Sequence, residues 1–256
     1  MAGGAGPVAV GEIPEVDVPT AKELIEQIHE HVSVAEIALI VGELEAKSRA
    51  MATALLADGP LAAATLRAAF ELTFVGRRRA SALLGTRSDA ELNDWARDLL
   101  AGEDQLGVRF ERFCAAAGPL AGGAAAELAS ELLHFSAPSR HCLWSRWIWS
   151  PESRTGALPL LIGEDFELEA DSLGEGYERV SRAFDVLDTS PEASAFRVGG
   201  GGRLGTDVLL ACTYGVYMRT VLGLKMTQEF NALVPAMPQL VRRLLGIHVK
   251  PREEVC

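Results

Sequence analysis

The stretch Ser88–Phe113, SDAELNDWARDLLAGEDQLGVRFERF, decides the fold class. It opens on Ser88-x-x-Glu91, the capping-box spacing in which a hydroxyl and a carboxylate each take up an orphan backbone N–H at a helix start. Leu92, Trp95, Leu99, Leu106, Phe110 and Phe113 then recur at intervals of three, four or seven. That period puts them on one stripe of a helix, not on alternate sides of a strand. One long amphipathic helix is expected, with its stripe against a core.

Working outward towards the N-terminus, Thr20-x-x-Glu23 opens a helical segment through Leu56, and Ser33-x-x-Glu36 offers a second start within it. Asp58-Gly59-Pro60 breaks the chain. A helix follows from Leu61 to Leu84, apolar on nearly all sides and so expected at the centre. Towards the C-terminus, Gly118-Pro119 breaks, Leu120–Phe135 reads as helix and Pro138 stops it. Ser139–Trp149 is expected as a short helix. Leu158–Ile162 and Phe166–Glu169 alternate around Gly163-Glu164-Asp165, the pattern of a small β-hairpin. Ser172-x-x-Glu175 caps a helix to Leu187, and Gly199–Gly202 reads as a loop. Thr206-Asp207 starts a long apolar helix through Leu233, and a short last helix, Pro238–Leu245, is stopped by Gly246.

The expected fold is therefore all-α: an antiparallel helical bundle of about six to eight helices with a small β-hairpin insertion. Residues 1–19 are expected as a flexible tail, 20–249 as a single helical domain with 150–171 as the irregular or hairpin insertion, and 250–256 as a C-terminal tail.

Composition bounds the function. With 48% hydrophobic residues in 256, the chain can bury one sizeable core. A net charge of -11 disfavours extended nucleic-acid or anionic-lipid binding, because phosphates repel such a surface. Cys114, Cys142, Cys212 and Cys256 form no C-x-x-C pair, which points to reduced thiols and a cytoplasmic location. The Gly-, Ala- and Pro-containing N-terminus lacks the signal-peptide pattern. Val208–Leu224 is interrupted by Arg219 and falls short of the ~20 residues a bilayer needs, so it reads as a core helix with no membrane role. A small molecule, a nucleotide, a protein partner or a second copy in a homodimer all stay open.

Three groups of residues could carry chemistry. Glu26-x-x-His29 and Glu131-x-x-His134 each set a carboxylate and an imidazole on one helix face, the spacing used in carboxylate-bridged iron or manganese centres. Glu71 could bridge, and Glu127, Glu131 and His134 form a single stripe. On the helical wheel, however, Glu26 faces water and His29 sits at the edge of the apolar stripe. Arg67 and Glu71 are the second group, four residues apart on an apolar helix, where at least one is expected to be buried. The third is Arg140-His141-Cys142-Leu143-Trp144-Ser145-Arg146-Trp147-Ile148-Trp149, whose Trp faces and Arg planes suit a flat ligand. Arg140, His141, Trp144 and Trp147 are its candidate binding residues; the same tryptophans could equally seal the bundle.

The string Leu66-Arg67-Ala68-Ala69-Phe70-Glu71 resembles the "LR-x-x-FE" helix of uncharacterised helical proteins related to the abortive-infection and HEPN group, and Leu133–His141 is similar to that group's "H-P-S" turn. The resemblance covers Leu61–His141. It implies binding of a nucleotide, RNA or partner protein in a defence or stress role, with Arg67, Glu71 and Arg140 engaged. HEPN ribonucleases pair an Arg with a His, with four to six residues between them. Only Arg242 and Arg243 before His248 have that spacing here, far from the matching turn.

Overall fold

A computed structural model describes residues 13–56, 61–77, 88–117, 120, 123–198, 201–225 and 235–247. Among them every regular element is helical. No helix of the described residues is long and apolar enough to cross a membrane.

The first helix, α1 (Val18–His29), starts earlier than its sequence signal. Asp17, not Thr20, is the cap: its carboxylate accepts from Thr20 N at 3.1 Å and from Thr20 Oγ1 at 2.7 Å. Asp17 is itself fixed, because its N–H donates to Leu161 O and its neighbour Val16 bridges Ile162. The tail expected over residues 1–19 thus lies outside the described residues up to 12, and its last part is docked. Ser33 and Glu36 form the reciprocal box that starts α2 (Val34–Leu55), so the expected single segment restarts there.

The helix expected over Leu61–Leu84 breaks early. The helix α3 (Ala63–Glu71) ends at Leu72, and helix resumes over 74–77. Thr73 causes the break: its hydroxyl accepts from Gly76 N at 2.8 Å, taking a donor that a continuous helix would have given to a carbonyl. The remainder of that range, with Gly85, lies outside the described residues.

The Ser88–Phe113 stretch is likewise two helices, α4 (Asp89–Ala101) and α5 (Leu106–Ala116), with Gly102 extended between them. Arg112 clasps the corner, donating to Asp98 at 2.7 Å and to Asp104 at 2.9 Å. The apolar stripe still works, because Trp95 of α4 stacks on Phe113 of α5 with centroids 4.1 Å apart.

The central helix is α6 (Ala124–Ser136), buried along its whole length from Ala125. It packs against α2, α4 and α5. The helix α7 (Leu173–Thr189) packs on α5 so tightly that a Cβ on Gly174 would strike the Gly107 carbonyl. The two helix starts exchange caps: Glu178 accepts from Gly107 N at 3.2 Å and Glu111 from Gly174 N at 2.7 Å. The last two helices are α8 (Arg203–Lys225), which begins ahead of the expected Thr206, and α9 (Met237–Leu244). The expected continuation of α8 to Leu233 falls outside the described residues. Gly246, at φ +64, ends α9, and Ile247 N donates back to Arg242 O at 2.8 Å.

Two expected elements are absent from the described residues. Residues 150–171 form no hairpin but turns, a 3-10 turn at Leu158–Leu160 and the isolated bridges Val16–Ile162 and Ser150–Thr155. The alternating Leu158, Leu161, Ile162 and Leu168 are buried in the core without pairing as strands. Ser139–Trp149 is not helical either. The carbonyls of His141 and Cys142 are taken by side chains: Tyr177 OH donates to Cys142 O at 3.1 Å, and His134 Nδ1 lies 2.9 Å from His141 O.

Cys114, Cys142 and Cys212 are buried free thiols, each pushed up to about 12 by burial.

Candidate functional site

On α6, Glu127, Glu131 and His134 occupy positions i, i+4 and i+7 and form the expected stripe, with exposures of 7%, 5% and 0%. Each meets a partner from a different element. Arg146 donates through its backbone N at 3.0 Å and Nε at 3.1 Å to Glu127. Lys47 of α2 brings Nζ to 3.5 Å from Glu131. Asp207 of α8 sets Oδ2 2.7 Å from His134 Nε2.

The His134 ring faces two acceptors, a backbone carbonyl on Nδ1 and a carboxylate on Nε2. Nδ1 therefore carries a hydrogen, and a second proton lies between Nε2 and Oδ2. The other Asp207 oxygen, Oδ1, is buried with no hydrogen-bond partner among the described residues.

Lys47 and Glu131 are each more than nine-tenths buried. Burial pushes the Lys47 amine below its ordinary range, opposed by the Glu131 charge. Burial likewise raises the Glu131 carboxyl, opposed by Lys47 and by backbone donation. Both Glu131 oxygens accept from Phe74 N, at 3.0 and 2.9 Å, so the carboxylate sits where the helical residues 74–77 begin. Lys47 Nζ also donates to Leu245 O at 3.0 Å and lies 3.7 Å from the centroid of Phe135. The end of α9 is thereby tied to the base of the stripe, and Arg242 reinforces it with a bidentate bond to Glu43 at 2.7 and 3.1 Å.

Beside this row lies a cavity of about 460 Å³. Glu127 and Glu131 form its acidic side, Arg146 and Arg243 its basic one, and Phe74, Phe135, Trp147 and Tyr214 its aromatic walls. Ser145, Ser150, Ser153 and Thr155 complete the lining. Its volume falls within the ~300–1,000 Å³ of small-molecule sites. Arg243 makes no ion pair among the described residues, so its charge is open to a ligand.

The residues expected from sequence divide sharply. Glu131 and Trp147 line the cavity, and His134 lies behind it. His141 is half-buried, and burial, then Arg140, pulls its imidazole down to about 4. Trp144 is core: its ring packs against Phe110, and Nε1 donates to Trp149 O at 2.9 Å. Arg140 is exposed on a turn.

The expectation that Arg67 or Glu71 is buried is corrected, since both are exposed. On α3, Leu66, Ala69 and Phe70 take the inward face and leave Arg67 and Glu71 in solvent. The four groups expected to share one interior, Arg67, Glu71, Glu131 and His134, are therefore split.

The chain matches no known protein family, no curated protein and no solved structure.

The iron or manganese ligand set is not assembled either. Glu71 is exposed, and His29 is exposed and stacked on Phe196 at 6.0 Å. Glu131 is committed to Lys47 and Phe74 N, and His134 has both nitrogens engaged. Among the described residues no three His, Cys, Asp or Glu side chains converge to hold a metal ion. What the sequence reading missed are Lys47, Asp207 and Tyr214. Lys47 carried a signal: it interrupts the buried series Leu44, Ser48, Met51 and Leu55 of α2.

Proposed function

We propose that the protein, as an antiparallel helical bundle, binds a mononucleotide-like small molecule in the 460 Å³ cavity. One observation carries this reading: Trp147 and Tyr214 line the same cavity as the guanidinium groups of Arg146 and Arg243. Aromatic rings offer a stacking surface to a base of any sequence, worth ~1–3 kcal/mol. The guanidiniums offer forked donors to a phosphate. Ser150, Ser153 and Thr155 supply hydroxyls for a sugar or phosphate oxygens. Charge at the site favours an anion. The carboxylates of Glu127 and Glu131 are matched by Arg146 and Lys47, which leaves Arg243 in excess within a chain of net charge -11. The HEPN resemblance supports the same ligand class and a defence or stress role. It also leaves a partner protein or an RNA end as the larger bearer of the nucleotide.

Calorimetric titration with the four ribonucleoside 5′-monophosphates and their nucleosides tests this. A monophosphate is expected to bind, its nucleoside at least tenfold more weakly. Trp147→Ala and Arg243→Ala should each weaken binding by about tenfold, or ~1.4 kcal/mol. No binding by any monophosphate, or equal binding by both variants, would overturn the proposal.

A further inference from the structure

The carboxylate of Glu127 is engaged on one side only. Oε1 accepts twice, from Arg146 N at 3.0 Å and from Arg146 Nε at 3.1 Å. Oε2 has no hydrogen-bond partner among the described residues, although only 10% of the side chain is exposed. Unlike Asp207 Oδ1, which is fully shielded, Oε2 keeps accessible surface. That surface opens onto ligand space, because Glu127 lines both the 460 Å³ cavity and a smaller one of about 270 Å³ beside it. Glu131, one turn along α6, is the contrast. Both its oxygens accept from Phe74 N, and Lys47 stands 3.5 Å away.

An ionised carboxylate oxygen can only accept, so Oε2 selects a donor. The charge of Glu127 is already matched by Arg146, and a neutral N–H therefore suffices where a second cation would be in excess. Position narrows the donor further. Glu127 is held by Arg146, the neighbour of Trp147 in the loop that forms one aromatic wall. Arg243 arrives instead with the end of α9, which Lys47 ties to Glu131 through Leu245 O. A nucleotide whose phosphate engages Arg243 thus brings its base, not its phosphate, to Glu127. An N–H on that base would form a charge-assisted bond in a site poor in water, the setting in which a missing donor is rejected most strongly.

We infer that Glu127 Oε2 is the specificity-determining acceptor of the larger cavity and selects a nucleobase that carries an exocyclic amino group. The inference rests on the nucleotide reading of that cavity and adds to it which bases are taken.

Three pairs of 5′-monophosphates test it by calorimetric titration: AMP with purine riboside monophosphate, GMP with IMP, and CMP with pyrimidin-2-one riboside monophosphate. Within each pair the amino group is replaced by hydrogen and nothing else changes. In at least one pair the amino-bearing member is expected to bind at least tenfold tighter. Glu127→Gln should erase that preference. Arg146 holds the amide oxygen in place of Oε1, so the amide NH2 takes the place of Oε2 and donor meets donor. The member without the amino group should bind this variant about as well as it binds the wild-type chain. The wild-type comparison stands whether or not the variant folds. Monophosphate binding with no preference in any pair would overturn this inference alone, as would a preference that survives in folded Glu127→Gln. Failure of every monophosphate to bind would overturn the nucleotide reading and this inference with it.

Discussion

The imidazole of His134 and the carboxylate of Asp207 meet at 2.7 Å with both side chains wholly shielded from solvent. The contact joins α6 to α8 through the middle of the molecule. Removing one member of such a pair strands the other in a poorly polarisable interior, which costs ~3–5 kcal/mol. His134→Ala is therefore expected to lower the unfolding free energy in urea by that amount. His134→Leu with Asp207→Leu should lose clearly less than the sum of the single changes, because neither group is left alone. Additive losses would mean that the two side chains are not coupled.

Lys47 and Glu131 make a second case, with a twist supplied by the backbone. Lys47→Met should cost ~3–5 kcal/mol, since Glu131 is then left buried without its cation. Adding Glu131→Gln should recover most of that loss. The amide oxygen can still accept from Phe74 N, and no charge remains to be compensated. Chemical denaturation of the two variants is sufficient, and no recovery would count against the pairing.

Acid sensitivity follows from His141. Its imidazole is held at about 4 in the fold against an ordinary 6.5, through burial first and Arg140 second. Between those values the unfolded chain binds a proton that the folded chain refuses, so stability rises with pH across that window and is lost as pH falls through it. Glu131 acts in the opposite sense. Its raised carboxyl keeps a proton above 4.5 in the fold, and that contribution fades as pH rises. His141→Gln should flatten the loss between pH 6.5 and 4 in thermal melts. An unchanged pH profile would place the acid sensitivity elsewhere.

Glycine positions give a signed pair of expectations. Gly174→Ala drives a methyl into the Gly107 backbone, where neither helix can yield cheaply, and should cost ~1–3 kcal/mol. Gly42 is exposed within α2, and a Cβ there meets nothing within 4 Å. Gly42→Ala should stabilise by ~0.5–1 kcal/mol through helix propensity alone. Melting temperatures should move in opposite directions.

The helical class was legible because capping boxes are local: Ser33 with Glu36 and Ser88 with Glu91 close as their spacing implies. Breaks were harder to read. Thr73 interrupts an apolar run by accepting a nearby N–H, and Gly102 turns a stripe that the period alone shows as continuous. The apolar run Leu158–Ile162 alternates like a strand yet is buried without a partner strand, a choice made by the segment's neighbours. At the site, the α6 stripe could be read from one helix. Its partners Lys47 and Asp207 could not, because they come from 84 and 76 residues away, measured from Glu131 on either side. Tyr214 was hidden for a different reason: in a long apolar helix an aromatic residue reads as filler until the neighbouring loop is in place.

The shielded sulfurs of Cys114, Cys142 and Cys212 make the chain its own opening gauge. With burial holding each thiol up to about 12, alkylating reagents find almost no thiolate to attack while the helices stay closed. Labelling at the three positions must then wait for an excursion that uncovers them. Cys142 lies on the aromatic loop and Cys212 within α8, so their separate labelling rates would time the loosening of two walls of the molecule independently.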